Sequence, residues 1–132
     1  MGAEQNMTTT AALAKARFEQ GDFEEAARLY EDLLVTNETA EAWNDWATAQ
    51  LACGRTGKSE DGFRRALQLD PKNAQAMANL GVLLVSVNRK GEAIQFLRTA
   101  IAGLEEAEAQ QVQNLITQCE PQTARTASAS GT

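Results

Sequence analysis

The chain has no histidine among its 132 residues, and its two cysteines, Cys53 and Cys119, stand far apart. Without histidine there is no Ser-His or Cys-His nucleophile pair. Without histidine or a Cys-x-x-Cys pair, a zinc site is excluded, and two distant cysteines make no disulfide framework. No metal or cofactor is expected. A reducing compartment fits, and the cytoplasm is the expected location. Residues 1–10 are polar, with no apolar run before a cleavage site, so no secretory leader is read there. No window approaches 18 apolar residues, so nothing is expected to cross or bind a membrane. Aromatic residues make up only 5%. What is there instead is alanine, with 43% hydrophobic and 23% charged residues and a net charge of -6. One domain is expected from this length.

The strongest signal is a repeat. Trp43, Trp46, Ala47, Phe63 and Ala66 reappear 34 residues later as Met77, Leu80, Gly81, Leu97 and Ala100. Shifted back by 33, Trp46, Ala47, Phe63 and Leu67 become Leu13, Ala14, Tyr30 and Leu34. A period of this size signifies stacked repeats, each burying a face against the next.

The pattern resembles the tetratricopeptide repeat. Its outline is an aromatic, two residues, Leu-Gly, two residues, Tyr, then Ala, three residues, Phe, then Pro. The middle copy gives Trp43-x-x-Trp46-Ala47, Ser59-x-x-x-Phe63 and Pro71; the third gives Met77-x-x-Leu80-Gly81 and Ala93-x-x-x-Leu97; the first gives Leu13-Ala14 and Ala26-x-x-x-Tyr30. Departures fall in the Tyr slot, which holds Arg17, Gln50 and Leu84, and in the Pro slot, which holds Glu38 and Glu105 outside the middle copy. The resemblance implies an all-α fold: an α-solenoid, a right-handed superhelix of three antiparallel helix pairs plus a capping helix. The repeats are placed at about 7–39, 40–73 and 74–104.

Helix signals agree. Residues 1–7 are read as a frayed start, with Thr8, Thr9 or Thr10 capping the first helix. Asp22 and Glu25 form a capping box for the second. Asn37 is a plausible cap for the third and Asn73 for the fifth. The fourth, from about 56 to 69, contains Gly57 and Gly62, each costing about 1 kcal/mol against alanine, which makes it the weakest. Gly103 is read as closing the sixth. A seventh helix, about 104–119, places Leu104, Val112, Leu115 and Ile116 on one side and serves as the cap. Residues 121–132 are too poor in apolar groups to order.

Charge is uneven. Between Glu19 and Asp45 there are nine acidic residues and one basic, Arg28, whereas Arg55, Arg64 and Arg89 lie later. A solvated surface is the plain reading of this pattern. The acidic balance argues against nucleic acid. Adjacent carboxylates such as Glu24-Glu25 point apart on a helix and cannot share a proton. Gly54 to Ser59 contains Gly-Lys-Ser, but lacks the spacing and the preceding strand of a phosphate loop. No catalytic constellation emerges, and the chain is read as a non-enzyme. Trp43 and Trp46 are assigned to the core rather than to a ligand.

The resemblance implies a concave groove lined by the first helix of each repeat, in which a peptide or partner segment lies. Its positions map onto Lys15 in the first repeat, Glu41, Asn44, Asp45 and Thr48 in the second, and Gln75, Asn79 and Val82 in the third. Asn79 matches the family's asparagine that hydrogen-bonds a ligand backbone. The family's carboxylate clamp is absent: Lys15 and Asp45 stand where its asparagines belong, Gln75 and Asn79 where its basic residues belong. Glu41 and Asp45 instead favour a Lys or Arg on the ligand. The leading reading is a protein-interaction scaffold, as a monomer or weak homo-oligomer. Alternatives are a self-associating oligomer, and an accessory domain of a larger enzyme such as a glycosyltransferase or methyltransferase.

Overall fold

The computed structural model describes residues 2–120, with side chains from residue 9 onward. Among them are seven helices and no strand: α1 Gly2–Glu19, α2 Phe23–Thr36, α3 Ala40–Ala52, α4 Thr56–Leu69, α5 Ala74–Ser86, α6 Lys90–Ile101 and α7 Glu106–Cys119. Each helix packs on the next in the chain, and α3 also touches α5. Three antiparallel hairpins are thereby stacked into an α-solenoid, with α7 laid against α6.

The turns inside the three hairpins share one geometry. Gly21, Gly54 and Asn88 have φ of 83, 80 and 63°. This is the left-handed region, open to glycine and tolerated by asparagine. The amide that follows each bonds back across the helix end, from Asp22 to the Arg17 carbonyl (2.9 Å), Arg55 to Gln50 (2.9 Å) and Arg89 to Leu84 (2.8 Å). Gly21, Gly54 and Asn88 themselves bond Phe18, Leu51 and Val85. These two bonds make the Schellman closure. It uses the backbone of the family's Tyr slot, so Arg17, Gln50 and Leu84 can differ in side chain without altering the turn.

Small residues set the spacing within each hairpin. Ala14, Ala47 and Gly81 are buried, as are Ala26, Ser59 and Ala93 on the partner helices. A Cβ at Gly81 would lie 2.5 Å from Leu97 Cδ2, and one at Gly62 would lie 2.8 Å from Ala47 Cβ and from the Trp46 ring. Gly62 is therefore a close-approach residue. Its helix-propensity cost is set against intimate packing of α4 on α3. Gly103 is likewise a contact point, where a Cβ would meet Ala74 Cβ at 2.7 Å; it does not take the positive φ of a helix-closing glycine.

The core has two clusters. The N-terminal one is built from Ala14, Ala26, Ala27, Ala42 and Ala49 with Leu29, Tyr30 and Leu33. The C-terminal one holds Phe63, Leu80, Leu83, Leu84, Leu97 and Ile116. Trp46 packs on both, and stands edge-to-face with Trp43, ring centroids 5.3 Å apart. Leu13, Trp46 and Leu80 share a repeat position but not an environment. Leu13 is 39% exposed, Trp46 half-buried and Leu80 fully buried. Nothing among the described residues stacks outside α1, whereas α7 covers the other end with Val112, Ile116 and Cys119.

Several local expectations are corrected. α1 begins at Gly2, so Thr8–Thr10 lie inside it rather than at its cap, and residues 2–7 continue the helix. α3 is capped by Thr39, whose hydroxyl accepts from the Ala42 amide at 3.0 Å; Asn37 instead ends α2. Asp22 caps α2 (3.4 Å from Glu25 N), but the Glu25 side chain pairs with Arg28 rather than reaching back, so only half the capping box forms. Asn73 caps α5 as expected. The disordered tail expected at 121–132 lies outside the described residues.

The later arginines tie repeats together. Arg55, at the start of α4, pairs with Glu24 of α2. Arg89, at the start of α6, reaches Glu60 of α4 at 2.8 Å. Arg64 joins Glu60 to Glu92. Glu38, in the first repeat's proline slot, accepts from Trp43 Nε1 (2.9 Å) and pairs with Arg65 (2.7 Å). Those two hydrogen bonds, Trp43 first, hold its carboxyl below the usual range.

Candidate groove and its acidic hollow

The first helices α1, α3 and α5 carry all eight residues expected in the groove. The structure divides them. On the α5 side, Asn79 Nδ2 donates to Asn44 Oδ1 at 3.0 Å, and Gln75 Nε2 donates to Asn79 Oδ1 at 3.5 Å. Asn44 is only 8% exposed, and its carbonyl accepts from the Thr48 hydroxyl at 2.9 Å. Asn44 is therefore a buried strut rather than an open groove residue, and the Asn79 amide joins α5 to α3. Val82 is 48% exposed, an apolar contact left open on α5.

The α1 side is different. Lys15, Phe18 and Glu19 of α1, Tyr30 of α2, and Glu41, Asp45 and Thr48 of α3 line a hollow of about 390 Å³. Four expected residues, Lys15, Glu41, Asp45 and Thr48, meet there; Gln75, Asn79 and Val82 do not. Asp45 is half-buried and makes no hydrogen bond or ion pair with the described residues. Burial, then the Glu41 charge, pushes its carboxyl up to about 6, with Lys15 pulling the other way. Tyr30 is 6% exposed, and burial followed by the charges of Asp45, Glu19 and Glu41 pushes its phenol up to about 12. A group whose ionisation is opposed by its surroundings, in a cleft, marks a candidate functional site.

Tyr30 is the hollow residue that repeat spacing assigns to the core alone. The available signal is chemical. It occupies the slot held by Phe63 and Leu97 in the later repeats, and the hydroxyl is what distinguishes it.

A second depression of about 310 Å³ lies between Leu67, Pro71, Met77, Gln95, Phe96 and Thr99, with the Arg64 guanidinium 5.7 Å from the Phe96 ring centre. Among the described residues, no group of three or more Cys, Asp or Glu is arranged to hold a metal ion, and no helix is long and apolar enough to cross a membrane.

Comparison with known proteins bears on the fold. The family model of the Cilia and flagella-associated protein 70 middle TPR-like domain matches residues 10–130. Sperm-associated antigen 1 of Mus musculus is 32% identical over 84 residues, 64% of this chain, and its Rattus norvegicus counterpart is 31% identical over 84 residues. The chain spans 9% of the length of these curated relatives. Among solved structures, the Yersinia enterocolitica type III secretion chaperone SycD, in complex with a peptide of the translocator YopD, superposes with a TM-score of 0.82 at 14% identity, covering 87% of this chain and 92% of that one. The second TPR domain of human RPAP3, in complex with the HSP70 peptide SGPTIEEVD, gives 0.79 at 19% identity, covering 91% and 99%. These likenesses establish a shared fold.

Proposed function

The chain belongs to the family of the Cilia and flagella-associated protein 70 middle TPR-like domain, a tetratricopeptide-repeat solenoid, and from that premise we propose that it is a non-enzymatic interaction scaffold holding a protein or peptide segment along α1, α3 and α5. The observation that carries this reading is Asp45. A half-buried carboxylate without a hydrogen-bond partner costs the fold stability, and a ligand that supplies the partner turns that cost into affinity. Support comes also from SycD and the RPAP3 domain, which hold peptides on the same architecture. The RPAP3 peptide is acidic, with two glutamates and an aspartate. Here Glu41 and Asp45 face the groove, so a segment carrying a basic residue fits instead.

The test is selection of peptides from a random display library on the wild-type chain, followed by titration against Asp45→Lys. Selected peptides should lose at least about tenfold in affinity, roughly the value of one charge-assisted hydrogen bond, while the melting temperature falls by no more than a few degrees. Peptides that bind both proteins equally would remove the groove assignment.

Self-association is a second reading, favoured by Leu13 on α1, which is 39% exposed. Light scattering over a concentration series distinguishes it, and a constant monomer mass rejects it.

A further inference from the structure

The hollow beside α1 is more specific than an acidic patch. It carries three carboxylates, Glu19, Glu41 and Asp45, against one ammonium, Lys15, a net charge of -2 when all four are ionised. No ion pair joins Lys15 to them, so the imbalance is not resolved within the site. Tyr30 bears on a ligand independently. Its side chain is almost wholly buried (6% exposed) and lines the hollow, while its hydroxyl makes no hydrogen bond with the described residues and is not closed off from solvent. A hydroxyl left open beside a buried ring can accept from a ligand. The volume lies near the low end of the roughly 300–1,000 Å³ typical of small-ligand sites, which is room for one long side chain.

We propose that this hollow is the arginine subsite of the groove, receiving one arginine of the bound segment end-on so that its guanidinium meets Asp45, Glu41 and the Tyr30 hydroxyl. The proposal rests on the groove reading above and names the side chain that reading leaves open. Arginine fits better than lysine for two reasons. The acceptors converge from two helices, Tyr30 of α2 and Glu41 and Asp45 of α3, and a planar fork of five donors serves divergent acceptors better than the three of an ammonium. Phe18 and Tyr30 also supply aromatic surface, on which guanidinium stacks more readily. The Thr48 hydroxyl gives its proton to the Asn44 carbonyl, so towards a ligand it can act only as an acceptor.

A bound cation favours ionised Asp45, so binding releases protons near the pH at which that carboxyl titrates. The charged and titratable groups around Asp45 are Glu41 on its own helix, Lys15 and Glu19 on α1, and Tyr30 on α2. From α5, the residues bonded towards α3 are the amides Asn79 and Gln75.

The experiment is an NMR titration of the full chain with N-acetyl-arginine methylamide, its lysine counterpart and its citrulline counterpart. Arginine should give saturable shifts at the amides of Lys15, Glu19 and Thr48, bind several-fold tighter than lysine, and weaken several-fold between pH 7 and pH 5. Citrulline should give none. Asp45→Asn should weaken arginine by about tenfold, and Tyr30→Phe, which keeps the ring in the core, by a smaller factor. Equal responses to arginine and citrulline, shifts spread over Glu31, Asp32, Glu105 and Glu106, or unchanged affinity in both variants would overturn the subsite. Lysine binding as tightly as arginine would overturn the choice of arginine. Display-selected peptides that still depend on Asp45 while free arginine fails would reject this subsite and leave the groove standing. Arginine binding with no such peptides would reject the groove and leave the hollow.

Discussion

The first hairpin of the stack buries its large side chains less completely than the last. Around α1 and α2 the buried positions are Ala14, Ala26 and Ala27 with Leu29, Tyr30 and Leu33, which keep 6–7% exposure, and Leu13 at the repeat's leucine slot stands partly in solvent. Around α5 and α6 the corresponding space is filled by Leu80, Leu83, Leu84 and Leu97, each at most 1% exposed, with Ile116 of α7 closing over them. The same motif therefore builds two kinds of structure. At the C-terminal end it maximises buried apolar area. At the N-terminal end it leaves a polar hollow whose carboxylates the fold does not satisfy. The most fully buried apolar side chains lie in one half and the unpaired polar groups of the hollow in the other, and Trp46 is the side chain that spans the divide.

Removing that bridge should have the largest effect. Trp46→Ala should cost about 3–5 kcal/mol, and chemical denaturation should broaden or split as the two clusters uncouple. Next comes the contrast between equivalent positions. Leu80→Ala should cost about 2–5 kcal/mol by leaving a cavity, while Leu13→Ala should cost under about 1 kcal/mol; comparable losses would mean that both ends are packed alike.

A smaller effect of opposite sign is expected in the hollow. The Asp45 carboxyl titrates near 6 in the folded chain and near 4 when unfolded. Protons therefore favour the folded state. This contribution is complete below about pH 4 and lost as pH rises through about 6. Asp45→Asn, neutral at every pH, should be more stable than wild type at pH 7 by about 1–2 kcal/mol, less than the full shift would give because solvent screens the half-exposed carboxylate, with the gain shrinking towards pH 4 in urea titrations. A variant destabilised at pH 7 would show that the ionised carboxylate is held by the fold.

The smallest effect belongs to the ion pairs between repeats. Glu60→Gln removes the carboxylate shared by Arg64 and Arg89. It should lower the melting temperature slightly at low salt, and the difference should vanish at about 1 M salt, where such charges are screened.

Fold was more legible than site. Gly21, Gly54 and Asn88 announce the turns because few residues tolerate their backbone geometry, and the spacing of Ala47, Gly81 and Leu97 follows from helix periodicity. Pairings across helices are written less plainly. Asn79 appears available for a ligand until its amide is seen bonded to Asn44, 35 residues away. Glu38 breaks the family pattern until Trp43 and Arg65 are found upon it. Gly62 weakens an isolated helix but allows the approach of Trp46. Tyr30 carries the core's periodicity, and periodicity cannot say that its far end reaches a cavity. In each case local pattern gives the position, whereas the partner depends on how two distant segments meet.

The two tryptophans have a practical consequence. The chain contains no others, and both sit on α3, the helix that carries Glu41 and Asp45. Intrinsic emission from this protein is therefore a report from one helix. Neither ring lines the hollow, so a molecule entering there would alter that light only through a shift of α3 itself, and melting at the far end would do so only once the C-terminal cluster had let go of the Trp46 ring.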